Sequence, residues 1–186
     1  KLRGVESNGM LCSAKEIGIS QDSDGLYELN SDSKVGQSLI DLLSLNDVLY
    51  TLSLTPNRAD CLSMIGIARE VSALTMLPLK PKKNEIFKES YTLKQKVKVS
   101  DKDSWPRYCG IQLKNINNKI ILPDWILQNL ERGGITSINP VVDITNYILL
   151  ETGQPLHAFN QSKINGEINV RMAKKGESLK LLNGQE

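Results

Sequence analysis

"NPVVDITNYILLETGQPLHAF" occupies Asn139 to Phe159 and decides how the second half of the chain is read. Asn139 is a good helix N-cap, and Pro140 falls at the first helical position, where a missing N–H is harmless. Gly153 suits the residue just past a helix end. The stretch therefore predicts a helix over 140–152, with Val141, Ile144 and Ile148 along one side. Asn139 and Asn146 are seven residues apart and share a face two turns apart, with Thr145 beside Asn146. Gly-Gln-Pro then turns the chain and delivers His157, the single histidine of the sequence. A lone histidine is ordinarily packed in a core or turn. Two readings stay open at this point. In one, Asn139 only caps, Thr145 and Asn146 face water, and His157 packs in the turn. In the other, the four gather as the polar wall of a pocket.

Outward from this stretch, "LPDWILQNLERGG" (122–134) predicts a second helix. Pro123 stands at its start, Trp125, Ile126 and Leu130 form its stripe, and Gly133-Gly134 end it. "TLKQKVKVS" (92–100), "RYCGIQLKNI" (107–116) and the two halves of "INVRMAKKGESLKLL" (168–182) alternate and predict strands. Asn183-Gly184 after such a run is a hairpin signal. Strands and helices mix without a βαβ rhythm, which argues an α+β fold.

The first half is organised differently. "KVGQSLIDLLSL" (34–45) predicts a short helix and "DVLYTLSLT" (47–55) a strand. In "TPNRADCLSMIGIAREVSALTMLPLKP" (55–81), Asp60 is the candidate N-cap. Leu62, Ile65, Val71 and Leu74 lie near one helical face with Arg69-Glu70 off it, and Pro78 and Pro81 stop the helix. "LKPKKNEIFKES" (79–90) is polar, lysine-rich and linker-like.

Composition narrows the function. A net charge of +2 is too balanced to declare a nucleic-acid binder by itself, and 5% aromatic content disfavours exposed base-stacking platforms. Cys12, Cys61 and Cys109 are far apart, odd in number and without a histidine cluster, which argues against a zinc site and against a disulfide scaffold. No metal ligand set and no cofactor-binding motif is expected in this chain. There is no phosphate loop, no nucleophile–base spacing, no signal peptide and no apolar run of membrane-spanning length. A reducing cytoplasm is the expectation. Both ends read as cut, with turn residues Ser7-Asn8-Gly9 near one and an unpartnered hairpin signal at the other, so a piece of a longer chain is expected.

Three motifs carry a resemblance. "LTPNRADCLSMIGIAREVSAL" and "SINPVVDITNYILLETGQPLHAFNQSKINGEINVRMAKKGESLKLLNGQE" are similar to the β chain of bacterial phenylalanyl-tRNA synthetase. "KLRGVESNGMLCSAKEIGI" resembles the end of the OB-fold tRNA-binding domain of that family. The three motifs occur in the family's order. The resemblance implies residues 1–19 as the C-terminal end of the OB-fold and 20–80 as a small helix-rich, winged-helix-like scaffold. A linker at 81–90 would follow, then the first part of a tRNA-editing domain at 91–186. It implies an α chain as partner in an (αβ)₂ heterotetramer, tRNA(Phe) as the nucleic-acid partner, and no membrane. The parent enzyme would join phenylalanine to tRNA with ATP and Mg²⁺, both used by the α chain. The β chain would hydrolyse tyrosine wrongly attached to the tRNA. In the editing pocket, the resemblance makes Thr145, Asn146 and Pro155 substrate-binding and has His157 orient the substrate or a hydrolytic water, with Asn139 as possible pocket wall. The family's tyrosine-recognising glutamate belongs to a Gly-rich segment beyond these residues, so an incomplete pocket is expected here. The alternative is a non-catalytic scaffold or RNA-binding module. A related domain serves recognition in tRNA-lysidine synthetases, but the "TPNRADCLSMIGIARE" motif sides with the β-chain architecture.

Overall fold

The computed structural model describes residues 3–21, 23–80, 87–88, 92, 95–181 and 185. The chain forms two compact units, residues 1–51 and 52–186. The division between the units falls at 51/52 in the chain, inside the stretch read as a scaffold over 20–80, and most of the expected linker at 81–90 lies outside the described residues.

Unit 1 is built mainly of turns. Ser13 and Ala14 are the buried residues among those described in it. The Ser13 N–H and hydroxyl both donate to Glu16 Oε2, at 2.8 and 3.0 Å, and these bonds hold the Glu16 carboxyl below the usual range. The Tyr27 N–H donates to the Cys12 carbonyl at 2.9 Å, tying two turns together. The helix expected over 34–45 shortens to α1, Leu39–Leu42. Left-handed backbone at Gly36 (φ 85°) and Ser44 (φ 52°) brackets it on both sides. The strand expected at 47–55 is not formed: Val48 and Tyr50 are exposed, and among the described residues no ladder pairs this stretch. Alternation selects a face, but a strand also needs a partner for its backbone groups.

Unit 2 holds the rest: a 3₁₀ turn at Pro56–Cys61, α2 (Met64–Thr75), β1 (Val97–Val99), α3 (Asp124–Arg132), α4 (Pro140–Thr152), a 3₁₀ turn at Gln161–Lys163 and β2 (Ile168–Val170). Helices beside a small sheet make the α+β expectation sound. β1 and β2 pair in parallel, with Val97 opposite Ile168 and Val99 opposite Val170. The Ile168 N–H to Lys96 O and Ser100 N–H to Val170 O bonds, each 2.9 Å, extend the ladder at both ends. The strands expected at 107–116 and in the second half of 168–182 are not formed in the described residues. Ile111, Leu113, Leu179 and Leu181 are exposed there instead. Asn183-Gly184 lies outside the described residues.

The core is Leu122, Ile126 and Leu130, with Leu127, Ile135, Tyr147 and Leu150 packed around it. Ile126 and Leu130 are one turn apart on α3, so one face is buried, and Leu130 is 0% exposed. Trp125, expected in that stripe, is 52% exposed and meets the Tyr147 ring edge-on at 5.2 Å. Pro123 falls at the N-cap of α3, one position before the first helical residue.

α4 runs as expected from its Asn139 cap to Gly153, but its buried side is different. Val141 and Ile148 are half-buried and Ile144 is exposed, but they are not among the residues packed against Leu122, Ile126 and Leu130. Tyr147 and Leu150 are, beside Asp143, which is 1% exposed. Asp143 is held there because its carboxyl accepts from the Ser137 hydroxyl at 2.6 Å and the Ile138 N–H at 2.8 Å. A buried polar group that finds such partners can displace an apolar stripe from the core-facing position.

α2 carries a second correction. Its N-cap is Ser63, whose Oγ accepts the Gly66 N–H at 3.0 Å, and not Asp60. Asp60 is bound to Arg58 instead. Leu62, Val71 and Leu74 are exposed, and the buried position of the helix is Gly66. α2 ends at Thr75 with Met76 left-handed (φ 57°), ahead of Pro78.

Gly66 has no room for a side chain. A Cβ there would stand 2.0 Å from the backbone oxygen of Asp60. An alanine would gain about 1 kcal/mol in helix propensity, but a backbone oxygen cannot swing aside as a side-chain tip can. Gly66→Ala is therefore expected to destabilise unit 2 by at least about 2 kcal/mol. Gly110→Ala, with nothing within 4 Å of its would-be Cβ, should stay within about 0.5 kcal/mol. Urea-unfolding midpoints of the two variants beside the wild type measure the difference, and equal midpoints would refute the contact.

Candidate functional site

α4 and the segment after it carry the residues singled out in the sequence. Asn139 Oδ1 accepts the Val142 N–H at 3.2 Å, so its side chain serves as the cap. The 13 residues of α4 put this cap about 20 Å along the axis from Gly153, at 1.5 Å per residue. Thr145 and Asn146 are half-buried in the middle of the helix. The Thr145 hydroxyl donates to the Val142 carbonyl at 2.7 Å, which leaves its oxygen lone pairs as acceptors.

The helix stops at Gly153, left-handed at φ 77°, whose N–H still donates to the Leu149 carbonyl at 2.8 Å. The Gln154 N–H donates to Thr152 Oγ1 at 3.2 Å. Pro155, His157 and Phe159 are exposed, and the two rings lie 6.4 Å apart, tilted by 42°. Asn160 then caps the next 3₁₀ turn, its Oδ1 accepting the Ser162 N–H at 3.0 Å and the Ser162 hydroxyl at 2.8 Å. His157 thus sits on a short solvent-facing segment fixed at both ends. It does not pack in the turn. The structure gathers Pro155 and His157 on that segment, sets Thr145 and Asn146 on the adjoining helix, and leaves Asn139 at the helix's far end.

Beside the start of α2 lies a cluster that sequence reading missed. Arg58 grips Glu70 through Nη1–Oε1 at 3.0 Å and Nη2–Oε2 at 2.5 Å. It also grips Asp60 through Nε–Oδ1 at 3.1 Å and Nη2–Oδ2 at 3.0 Å, and its Nη2 donates to Cys61 Sγ at 3.1 Å. The Arg58 hydrogen bonds hold both carboxyls below their usual range, and those bonds, Glu70's above all, raise the guanidinium in turn. Burial pushes the Cys61 thiol up, so it is a poor nucleophile. A spacing of twelve residues between Arg58 and Glu70 leaves no local sequence signal. The cluster borders a hollow of about 400 Å³ that also touches Leu54, Thr55 and Ile67. Another hollow, of about 410 Å³, lies beside α3 against Leu127, Glu131 and Ile135. His157 lines neither. Among the described residues, no group of three or more His, Cys, Asp or Glu side chains is arranged to hold a metal ion, and no helix is long and apolar enough to cross a membrane.

Residues 104–186, which contain α3, α4 and the His157 segment, match the B3/4 domain family. The chain is 50% identical over 186 residues, all of its length, to the phenylalanine–tRNA ligase beta subunit of Photorhabdus laumondii. It is 54% identical over 183 residues, 98% of its length, to the protein of the same name from Chromobacterium violaceum. That of Legionella pneumophila strain Lens is 47% identical over 186 residues. The chain is thus similar along its length to one stretch of proteins named phenylalanine–tRNA ligase beta subunit. It spans 23% of the length of the first two relatives and 24% of the third, and all of it aligns with the first and third. Both the Arg58 cluster and the His157 segment therefore fall within the part of the chain that aligns with these relatives.

The Arg58 clamp has a pH signature. Carboxyls lowered by folding add stability above their unfolded pKa values, near 4.5 for Glu70 and 3.8 for Asp60, and lose it as pH falls through the lower folded values. Arg58→Gln removes the cation, so the Glu70 and Asp60 carboxyls should titrate at higher pH. Carbon-13 carboxyl NMR reads both midpoints directly. A Glu70 midpoint unchanged in Arg58→Gln would show that the clamp does not hold in solution.

Proposed function

We propose that this chain is part of the beta subunit of a phenylalanyl-tRNA synthetase, contributing tRNA binding and hydrolytic editing of tyrosine mischarged on tRNA(Phe). In this reading residues 1–19 end an OB-fold and 20–80 form a winged-helix-like scaffold. Residues 81–90 link it to the first part of the editing domain at 91–186. An α chain completes an (αβ)₂ enzyme in the cytoplasm and ligates phenylalanine to tRNA with ATP and Mg²⁺. Those reagents serve the α chain's reaction, and the proposed editing step uses water alone.

The need for such a step is physical. Tyrosine is phenylalanine plus one hydroxyl, and an apolar pocket rejects an added hydroxyl by only about 10²-fold. A second site that hydrogen-bonds the hydroxyl selects the opposite way, because phenylalanine leaves its polar groups unpaired. In the editing reaction water adds to the ester carbonyl carbon, the ester C–O bond breaks, and tyrosine and the 3′-terminal hydroxyl of the tRNA leave. His157 orients the ester or the water; the Thr145 oxygen and the Asn146 amide supply further polar contacts, and Pro155 limits the backbone before the histidine.

The observation that carries this reading is the placement of His157. Its ring is exposed on a segment pinned by the left-handed Gly153 and the Asn160-capped turn. One observation favours the second reading, a non-catalytic scaffold or RNA-binding module: the Asn139 side-chain oxygen and the Thr145 hydroxyl proton are already used inside α4.

In the full-length αβ enzyme, His157→Ala should slow hydrolysis of pre-formed Tyr-tRNA(Phe) about tenfold to a hundredfold, the value of a positioning contact of roughly 1.4 to 2.7 kcal/mol. Phenylalanine charging should stay near wild type. Asn146→Ala should act in the same direction, and the pair should be non-additive if both serve one substrate pose. Wild-type deacylation by a stably folded His157→Ala enzyme would select the scaffold reading.

A further inference from the structure

We propose that Ser63, outside the residues assigned to the pocket, is a positioning residue for the His157 segment. This rests on the editing role proposed above for that segment. The contact is between the start of α2 and the end of α4. A Cβ built on Gly153 would stand 3.3 Å from Ser63 Cβ and 3.4 Å from the Leu62 carbonyl oxygen. Leu62 and Ser63 therefore form the wall against which Gly153 turns, and Gly153 takes its left-handed φ of 77° directly against it.

The wall is held from both sides. Before it, the 3₁₀ turn is fastened to α2 by Arg58, which bridges Asp60 and Glu70. After it, the missing side chain of Gly66 lets the Asp60 carbonyl lie directly on the helix. The Ser63 hydroxyl also locks the first turn of α2 by capping Gly66. Only Gln154, Pro155 and Leu156 separate Gly153 from His157, so the direction in which the chain leaves the wall sets where the imidazole can reach. An error there of a fraction of an ångström is enough to weaken a positioned contact.

Ser63 has two separable parts, and they make opposite demands. Its hydroxyl caps α2; its Cβ is the wall. Ser63→Ala keeps the wall and loses the cap. Ser63→Gly loses the wall but keeps much of the cap's worth, since glycine is far better than alanine at an N-cap. In the full-length αβ enzyme, a thermal melt should rank Ser63→Ala below Ser63→Gly. Two other readouts should rank them the other way. Hydrogen exchange of the peptide covering 153–159 should rise more in Ser63→Gly. Tyr-tRNA deacylation should fall more in Ser63→Gly, by about five- to tenfold, with phenylalanine charging retained. Gly153→Asn tests the contact from its other side. Asparagine tolerates the left-handed backbone but brings a Cβ against the wall, so it should raise exchange of the same peptide.

Exchange that follows the melting order, with alanine worse than glycine, would reduce Ser63 to a cap and overturn the proposal. So would wild-type exchange in both Ser63→Gly and Gly153→Asn. His157→Ala in the same assays separates this from the editing reading. If that variant deacylates normally while the exchange order is as expected, the editing role fails and the positioning of the segment stands. If it is impaired while the exchange order is reversed, editing stands and Ser63 does not position it.

Discussion

Unit 2 is arranged around a buried carboxyl. Asp143 accepts from the Ser137 hydroxyl and the Ile138 N–H with only 1% of its surface exposed. Those two bonds fasten the first turn of α4 to the chain that enters it, beside the Asn139 cap. A polar group so placed would cost a few kcal/mol if either partner were missing. Once Asp143 faces inward, helical geometry puts Tyr147 and Leu150 on the same side, one and two turns later. They meet α3, where Gly133 also matters: a Cβ there would stand 2.6 Å from Leu150 Cδ1. The far end of α4 then arrives at Leu62 and Ser63. One carboxyl thus sets the rotation of the helix that joins both neighbours.

How much of this was legible follows from which interactions are local. The limits of α4 and α3 came from caps and glycines within a few residues of the helix ends, and they agree with the structure to within a residue. The buried face of α4 was not legible. Its apolar residues pointed to Val141, Ile144 and Ile148, and the deciding bonds belong to a polar residue and to two residues before the helix. The cap of α2 was misplaced for a related reason. Asp60 and Ser63 are both good capping residues three positions apart, and Asp60 is claimed by an arginine that pairs in turn with Glu70, nearly two turns into the helix. Strands were the least legible elements. Alternation at 47–55 and 107–116 names a face, whereas the ladder depends on residues far along the chain, and among the described residues it is Val97–Val99 and Ile168–Val170 that find each other.

The candidate site divides in the same way. That His157 follows a well-ended helix was readable from Gly153 and Pro155. That its ring is exposed, with Phe159 as its ring neighbour, was not. The roles given to Thr145, Asn146, Pro155 and His157 come from family resemblance, and the structure contributes the frame: a helix, a left-handed stop, a short exposed segment and a capped turn. The left-handed stop and the capped turn hold the two ends of that segment and the imidazole lies between them, a way to place a side chain without burying it.

The parallel pairing of β1 with β2 has a consequence for assembly. Val97 and Ile168 are partners across an intervening chain that contains both α3 and α4. Joining ends so far apart carries a loop-closure entropy of about 4 kcal/mol in the ideal-chain limit, and two three-residue strands return little against it. The helices face no such barrier: a short connection brings α3 and α4 together, and Ile126, Leu130, Tyr147 and Leu150 bury one another at once. Once that helical pair has folded, the ends it leaves are already drawn together and the strands close at a much smaller penalty. The sheet is therefore expected to close late, on a helical pair already formed, because sequence distance rather than the strength of the final bonds sets the entropy to be overcome.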